Sequence, residues 1–453
     1  MRIHKLALYF VFIIFSGSVI SCKKYLGAKP DKALAVPGTL QDLQALLDDF
    51  SFVEDRDLSA AVQSVDDFYI VDNDYNSLTD NEAKQLYIWG TSGLFTEFPN
   101  DWSNQYYVVN IANTVLDNIN TIQRTSANGP DWDNIRGQAL LLRARAFQLV
   151  AWTWAKQYDS ATASGDLGIP LRLHNNFNDV SVRSTLQETY NQIIKDYKEA
   201  VQLLPVNPVH PVRASRPAAY GLLARTYLSM GDYSNCLLYS DSCLSLFNSL
   251  LDFNDLNASA SYPISKFNTE VIMDNRIHLP TLFSSNRAKI DTFLYQSYSD
   301  SDLRKAIYFK AAGNAHVFKG NYSGGSTMFS GIATDEVLLM KAECLARKGF
   351  TDSAMHTLNA LLMTRFKTGM FEPLSAANAT GALQIVLQER RKELLMRGWR
   401  WMDIRRLNKE GFNITLKREI SGSEYVLSPG ALRYVFPIPD NVILLSGIKQ
   451  NPE

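Results

Sequence analysis

Two stretches of this chain repeat each other, and they constrain its fold more than any other feature. Ala224, Tyr227, Gly231 and Cys236 correspond to Ala342, Leu345, Gly349 and Ala354 at a constant offset of 118 residues. In each copy one helical pattern runs into a glycine and a second begins just beyond it, at Gly231-Asp232-Tyr233 and at Gly349-Phe350-Thr351. Small residues at the crossings let two helices approach closely, and the glycine supplies a left-handed turn conformation. The pattern therefore predicts two hairpins of antiparallel helices.

The spacing is that of tetratricopeptide helix pairs. A third, degenerate pair is predicted from Ile135–Tyr158 to Leu186–Leu204, split by a loop at Ser160–Ser184. Other helical patterns begin at Thr39, with Leu40, Leu43, Leu46 and Leu47 as an apolar stripe, and cover about 102–124, 333–348, 352–366 and 380–397. The repeats are not tandem. Residues 51–101 and 250–332 have little periodicity and are rich in aromatics, Asn, Asp and Ser. The expected fold is all-α, a tetratricopeptide-like scaffold of helix pairs with long irregular insertions, followed by a Pro-rich coil. Loops of that length on a rigid scaffold are where function is expected.

The beginning of the chain has its own logic. Leu6–Phe15 is an unbroken apolar run, preceded by Arg2 and Lys5 and followed by Ser16, Gly17 and Ser18. That is a secretory leader, too short to span a membrane. Val19-Ile20-Ser21-Cys22 then resembles a bacterial lipobox, in which the cysteine is acylated and starts the mature chain. Acyl chains gain about 0.8 kcal/mol per buried CH₂, so several on one residue anchor durably. The expected organisation is a leader over 1–21, a lipid-anchored tether over 22–38, and one helical domain over 39–453 carrying both insertions.

Charge and motifs exclude several classes. A net charge of −1 lacks the basic footprint of a nucleic-acid binder. Cys236, Cys243 and Cys344 have neither disulfide nor zinc spacing and are expected as small buried residues. The six histidines are isolated, and no H-E-x-x-H, G-x-S-x-G or Walker A pattern occurs. The glycine-rich Gly320–Gly325 lacks a following lysine and is expected as a loop. No metal or cofactor is expected. Arg390–Arg406 is basic, but Glu389, Glu393 and Asp403 are interleaved with it, so an ion-paired helix packed on the scaffold is expected rather than an anion site. Glu389 and Glu393 lie on one helix face, which is not the geometry of two carboxylates flanking a glycosidic bond.

In order along the chain, several motifs resemble one family. Cys22-Lys23-Lys24-Tyr25-Leu26 follows the lipobox, with Lys29-Pro30-Asp31 beyond it. Trp102, Tyr106, Val109, Ala112 and Asn113 share one helix, and Arg143-Ala144-Arg145-Ala146-Phe147 another. Glu389–Leu394 precedes Gly398-Trp399-Arg400-Trp401-Met402-Asp403-Ile404-Arg405-Arg406, and Phe436-Pro437-Ile438-Pro439 and Lys449–Pro452 close the chain. Together they resemble the SusD/RagB-like outer-membrane nutrient-binding lipoproteins of Bacteroidetes. The resemblance implies a binding protein without enzymatic activity, held to outer-membrane lipid through acylated Cys22 and facing the cell exterior. It implies a lid on a SusC-like TonB-dependent transporter, to which the protein passes an oligosaccharide or other nutrient. The chain lacks an acidic cluster after Cys22, so surface exposure rests on the family alone. Its insertions are shorter than those of the larger starch-binding members, so no sugar-site residue is carried over from them.

Reversible sugar binding needs flat aromatic faces and planar polar groups that bond vicinal hydroxyls. The first insertion offers Tyr69, Asp72, Asn73, Tyr75 and Trp89, and the second Arg287, Tyr295, Tyr298 and Tyr322. Trp89, Tyr75, Tyr298 and Tyr322 are the expected stacking platforms. Two other functions remain open at this point: a tetratricopeptide lipoprotein binding a peptide or assembly partner, and a surface glycosidase.

Overall fold

The computed structural model describes residues 37–452. The leader, Cys22 and the tether up to residue 36 lie outside the described residues. Helices of eight residues or more are α1 (Leu40–Leu47), α2 (Asp101–Ile119), α3 (Gly129–Trp154), α4 (Leu186–Leu203), α5 (Arg216–Met230), α6 (Tyr233–Leu246), α7 (Thr334–Arg347), α8 (Thr351–Leu362), α9 (Ala379–Glu393) and α10 (Arg400–Lys409). No described helix is long and apolar enough to cross a membrane.

Local chemistry sets the helix ends. Thr39 and Asp42, Asn100 and Ser103, and Thr185 and Glu188 form reciprocal capping boxes at the starts of α1, α2 and α4. Both repeat glycines adopt the left-handed conformation, Gly231 at φ +77° and Gly349 at φ +84°. They turn α5 into α6 and α7 into α8, and α6 packs on α7, so the two hairpins stack. Ala224, Cys236, Ala342 and Ala354 are fully buried at these crossings, and Cys236, Cys243 and Cys344 are free, buried thiols.

The degenerate pair is α3 on α4. Almost all of α3 from Ile135 onward is buried, whereas α4 buries one stripe: Leu186, Thr189, Tyr190, Ile193, Asp196, Tyr197, Ala200 and Val201. Each fully buried aliphatic side chain contributes about 1.5–3 kcal/mol. Gly137 permits the closest approach, since a Cβ there would meet Leu204 at 2.9 Å. Arg143 crosses the pair to Asp196 at 2.8 Å.

Two expectations need correction. The fold is helix-rich but not all-α, because the insertions and the C-terminal region contain small antiparallel sheets. A four-stranded sheet, ordered β1-β2-β4-β3, joins β1 (Phe68–Tyr69) of the first insertion to β2 (Lys289–Ile290), β3 (Phe309–Ala312) and β4 (Ala315–Phe318) of the second. A hairpin of β5 (Leu416–Ile420) and β6 (Ser423–Leu427) occupies what reads as terminal coil. The helix expected over 380–397 ends at Glu393; Met396 (φ +57°) and Gly398 (φ +84°) break it before α10.

The core falls into two apolar clusters. The larger lies within the helices, from Leu43 to Ile448. The second lies under the insertions and includes Phe68, Tyr87, Leu282, Tyr298, Tyr308, Tyr322 and Phe329. Between them runs a buried ionic network. Arg304 reaches Asp302 (2.7 Å), Glu389 (2.6 Å) and Glu393 (2.9 Å), while Arg365 reaches Glu393 (2.7 Å) and Glu270 (2.8 Å). Arg397 pairs with Asp335 at 2.5 Å, Arg390 with Asp403 at 2.9 Å, and Arg406 with Glu343 at 2.5 Å. The Arg390–Arg406 stretch is thus ion-paired, as its interleaved carboxylates suggest. Glu389 takes Lys392 of its own helix at 2.8 Å, but the arginines that reach Glu389 and Glu393 come from the second insertion and from the chain after α8, which locks the insertion to the scaffold.

Candidate functional site

The sheet β1-β2-β4-β3 brings together the two aromatic-rich insertions, more than two hundred residues apart in sequence. Around it, Thr281 donates to Asp80 at 2.6 Å, the Asp291 amide donates to the Asp67 carbonyl at 2.9 Å, and Lys289 pairs with Asp74. The shared face holds two clefts that meet at Leu279.

The first cleft has a volume of about 480 Å³. Its aromatic walls are Tyr262, Phe283 and Phe318, and its polar groups include Ser261, Ser284, Ser285, Asn286, Lys310, Lys319 and Ser326. Tyr262 is 43% exposed, so part of its side chain is accessible to a ligand. Gly320 lets it lie close: its φ is +146°, and a Cβ there would meet the Tyr262 ring at 3.0 Å. Ser285 and Asn286 both sit at positive φ (56° and 57°), a costly conformation that holds the cleft lip in one shape.

The second cleft, of about 520 Å³, is rich in carboxylates, with Asp55, Asp57, Glu82, Glu97 and Asp101 among its lining groups and Arg56 and His278 beside them. Several of these carboxylates have structural work. Asp101 accepts from the Ser59 and Ala60 amides, both at 2.8 Å, and Asp57 pairs with Arg145. Glu82 accepts from the Phe95 amide at 2.7 Å; burial pushes its pKa up to about 7, and burial takes Asp101 to about 6. Among the described residues, no group of His, Cys, Asp or Glu side chains is placed to hold a metal ion.

The expected site residues fare unequally. Trp89, Tyr298 and Tyr322 are 2%, 1% and 0% exposed, which removes them as stacking platforms. Trp89 donates its indole N–H to the Ser64 carbonyl at 2.8 Å and carries the Arg418 guanidinium over its ring. Tyr298 donates to the Lys392 carbonyl at 2.8 Å. Tyr322 donates to Glu270 at 2.5 Å within the ionic network. Tyr75 is half-buried against Tyr87 at 5.9 Å, with Lys84 over its ring. Tyr69 is half-buried in β1 opposite Lys289. Asp72 and Asn73 are exposed, and Asp72 accepts from the Ser421 amide of the β5–β6 turn at 2.9 Å. Tyr295 stacks on His316 at 3.6 Å. Arg287, just outside the lining of the first cleft, donates to the Ser284 hydroxyl at 2.7 Å.

The expected regions therefore meet, but the cleft aromatics are different ones. Tyr262, Phe283 and Phe318 escape a reading of the sequence because no local pattern separates an exposed aromatic from a buried one. The Gly320–Gly325 segment is a usable signal, since its first glycine shapes the wall.

Residues 24–228 match the family model described as "Starch-binding associating with outer membrane", and residues 273–453 match the model described as "SusD family". The chain belongs to the SusD family. Solved SusD-type structures share its fold. A SusD superfamily protein from Bacteroides thetaiotaomicron VPI-5482 is 19% identical, with a TM-score of 0.73 over 92% of this chain and 100% of the other. One from Bacteroides fragilis is 20% identical, with a TM-score of 0.71 over 91% and 99%. A SusD-like carbohydrate binding protein from Bacteroides vulgatus ATCC 8482 is 19% identical, with a TM-score of 0.65 over 90% and 97%. No curated protein sequence matches this SusD-family chain.

Proposed function

We propose that this SusD-family protein binds an oligosaccharide nutrient at the cell surface and delivers it to a SusC-like TonB-dependent transporter. The observation that carries this reading is the first cleft: a partly exposed tyrosine ring, two further aromatic walls, four serine hydroxyls and the Asn286 amide. The apolar face of a pyranose stacks on the ring, and the hydroxyls bond the sugar rim. Binding of this kind requires no covalent chemistry, and the protein acts as a binding subunit rather than an enzyme. Glu389 and Glu393 are engaged with buried arginines, which argues against a glycosidase built on them.

In this reading residues 1–21 are a cleaved leader, acylated Cys22 anchors the tether in outer-membrane lipid, and 39–453 form one domain with the site facing outward. The stacked hairpins α5–α6 and α7–α8 serve as tetratricopeptide-like supports. The family description and the lipobox support the membrane placement. Titration calorimetry against a panel of oligosaccharides tests the site. Tyr262→Ala is expected to weaken binding by one to two orders of magnitude, the loss of about 1–3 kcal/mol of stacking and burial. Unchanged affinity would reject the cleft. Cys22→Ala is expected to move the protein from the outer-membrane fraction to the soluble fraction.

A further inference from the structure

We infer that the sugar taken by the first cleft is anionic, carrying carboxylate or sulfate groups. This rests on the oligosaccharide reading above and narrows its substrate class. The cleft is lined by two lysines and by no aspartate or glutamate. Among the described residues, neither Lys310 nor Lys319 has a carboxylate within ion-pair distance, although most neighbouring cations do. Lys289 pairs with Asp74, Lys305 with Asp300, and Arg304 with three acids.

The two charges are placed differently. Lys310 is exposed on β3, free to follow a ligand. Lys319 is half-buried and held, its ammonium donating to the Ala258 carbonyl at 2.7 Å. Burial, together with the positive charge of Lys310, pulls its pKa below the usual lysine range. A cation held where its charge is disfavoured gains when an anion arrives. Arg287, just outside the lining, donates to the Ser284 hydroxyl of the cleft at 2.7 Å.

The adjoining cleft across Leu279 offers no such charge to an anion: Asp55 and Asp57 there are ion-paired with Arg276 and Arg145, burial raises the pKa of Glu82 and of Asp101, and Arg56 shares the wall.

Titration calorimetry on the detergent-solubilised full-length mature protein, at low and high salt, tests the inference. The probes are a galacturonate oligosaccharide with its methyl ester, a carrageenan oligosaccharide with its desulfated form, and maltotriose. The charged member of one pair is expected to bind about tenfold or more tightly than its neutralised form, to weaken with salt, and to lose about tenfold in K310Q/K319Q. Which pair responds distinguishes carboxylate from sulfate. If neutral probes bind as well as charged ones, or if K310Q/K319Q leaves the charged probe unaffected, the charge assignment fails and oligosaccharide binding stands. If no probe binds, the oligosaccharide reading fails and this inference with it. G320A, which pushes on Tyr262, separates the two: it is expected to weaken every bound sugar, charged or neutral.

Discussion

At the scale of single residues, tyrosine decides much of this protein. Its ring fills volume as a core residue does, while its hydroxyl finds a buried acceptor. Tyr298 and Tyr322 use both properties, each donating to a group inside the second core. A phenylalanine variant separates a structural role from a ligand-contacting one. Y298F is expected to cost about 1–2 kcal/mol, because the Lys392 carbonyl then loses a partner in a dry interior. Sugar affinity is expected to be unchanged, as read by denaturant titration beside calorimetry. A loss of affinity at constant stability would return Tyr298 to the binding site. Arg365 carries higher stakes. It bridges Glu270 and Glu393, so R365M leaves Glu270 buried without its cation and Glu393 with Arg304 alone, at a cost of about 3–5 kcal/mol.

At the scale of elements, the repeat hairpins depend on two glycine turns. Gly231 stands at φ +77°, and no atom lies within 4 Å of the point where an alanine methyl would stand, so the penalty of G231A is conformational rather than steric. The expected destabilisation is about 1 kcal/mol, measured by chemical denaturation. The same substitution at Gly137 meets Leu204 at 2.9 Å and is expected to cost more, because α3 and α4 must separate. The sequence patterns place the long helices to within a few residues, since caps and apolar stripes are local. They fail where the cause is distant: α9 and α10 separate at Met396–Gly398, and the β5–β6 hairpin sends Arg418 under the first insertion to the Phe68 and Val65 carbonyls.

At the scale of the whole molecule, buried charge shapes the response to pH. Against the upward push of burial, Arg406, Arg347 and Arg390 hold Glu343 down at about 2, below its ordinary value of 4.5. A carboxylate whose pKa is lowered by folding stabilises the fold above its unfolded pKa, and that contribution disappears as pH falls from 4.5 towards 2. Burial acts oppositely on Glu54, raising it to about 8. Its protonated form suits the fold, so stability declines as pH rises from 4.5 through that value. The midpoint of thermal unfolding is therefore expected to peak on the acid side of neutrality and to fall steeply below about pH 4. E54Q, which fixes a neutral side chain at that position, is expected to flatten the alkaline limb.

Whatever is encoded locally is legible in the chain before it folds: capped amphipathic helices, glycine turns, a repeated hairpin, and carboxylates interleaved with arginines. The two irregular insertions are likewise marked there as the place to look for a site. Which aromatics are walls and which are core is settled by tertiary packing alone. Tyr298 and Tyr322 lie inside because the insertions, lacking long helices, need large rings to fill the interior beneath them, and Trp89 is drawn into the larger helical core. Tyr262 stays partly exposed, lying close to Gly320, which leaves room for it. Burial depends on what distant segments pack against a side chain, and β1 and β2, which pair, are separated in the chain by the helices α2 to α6.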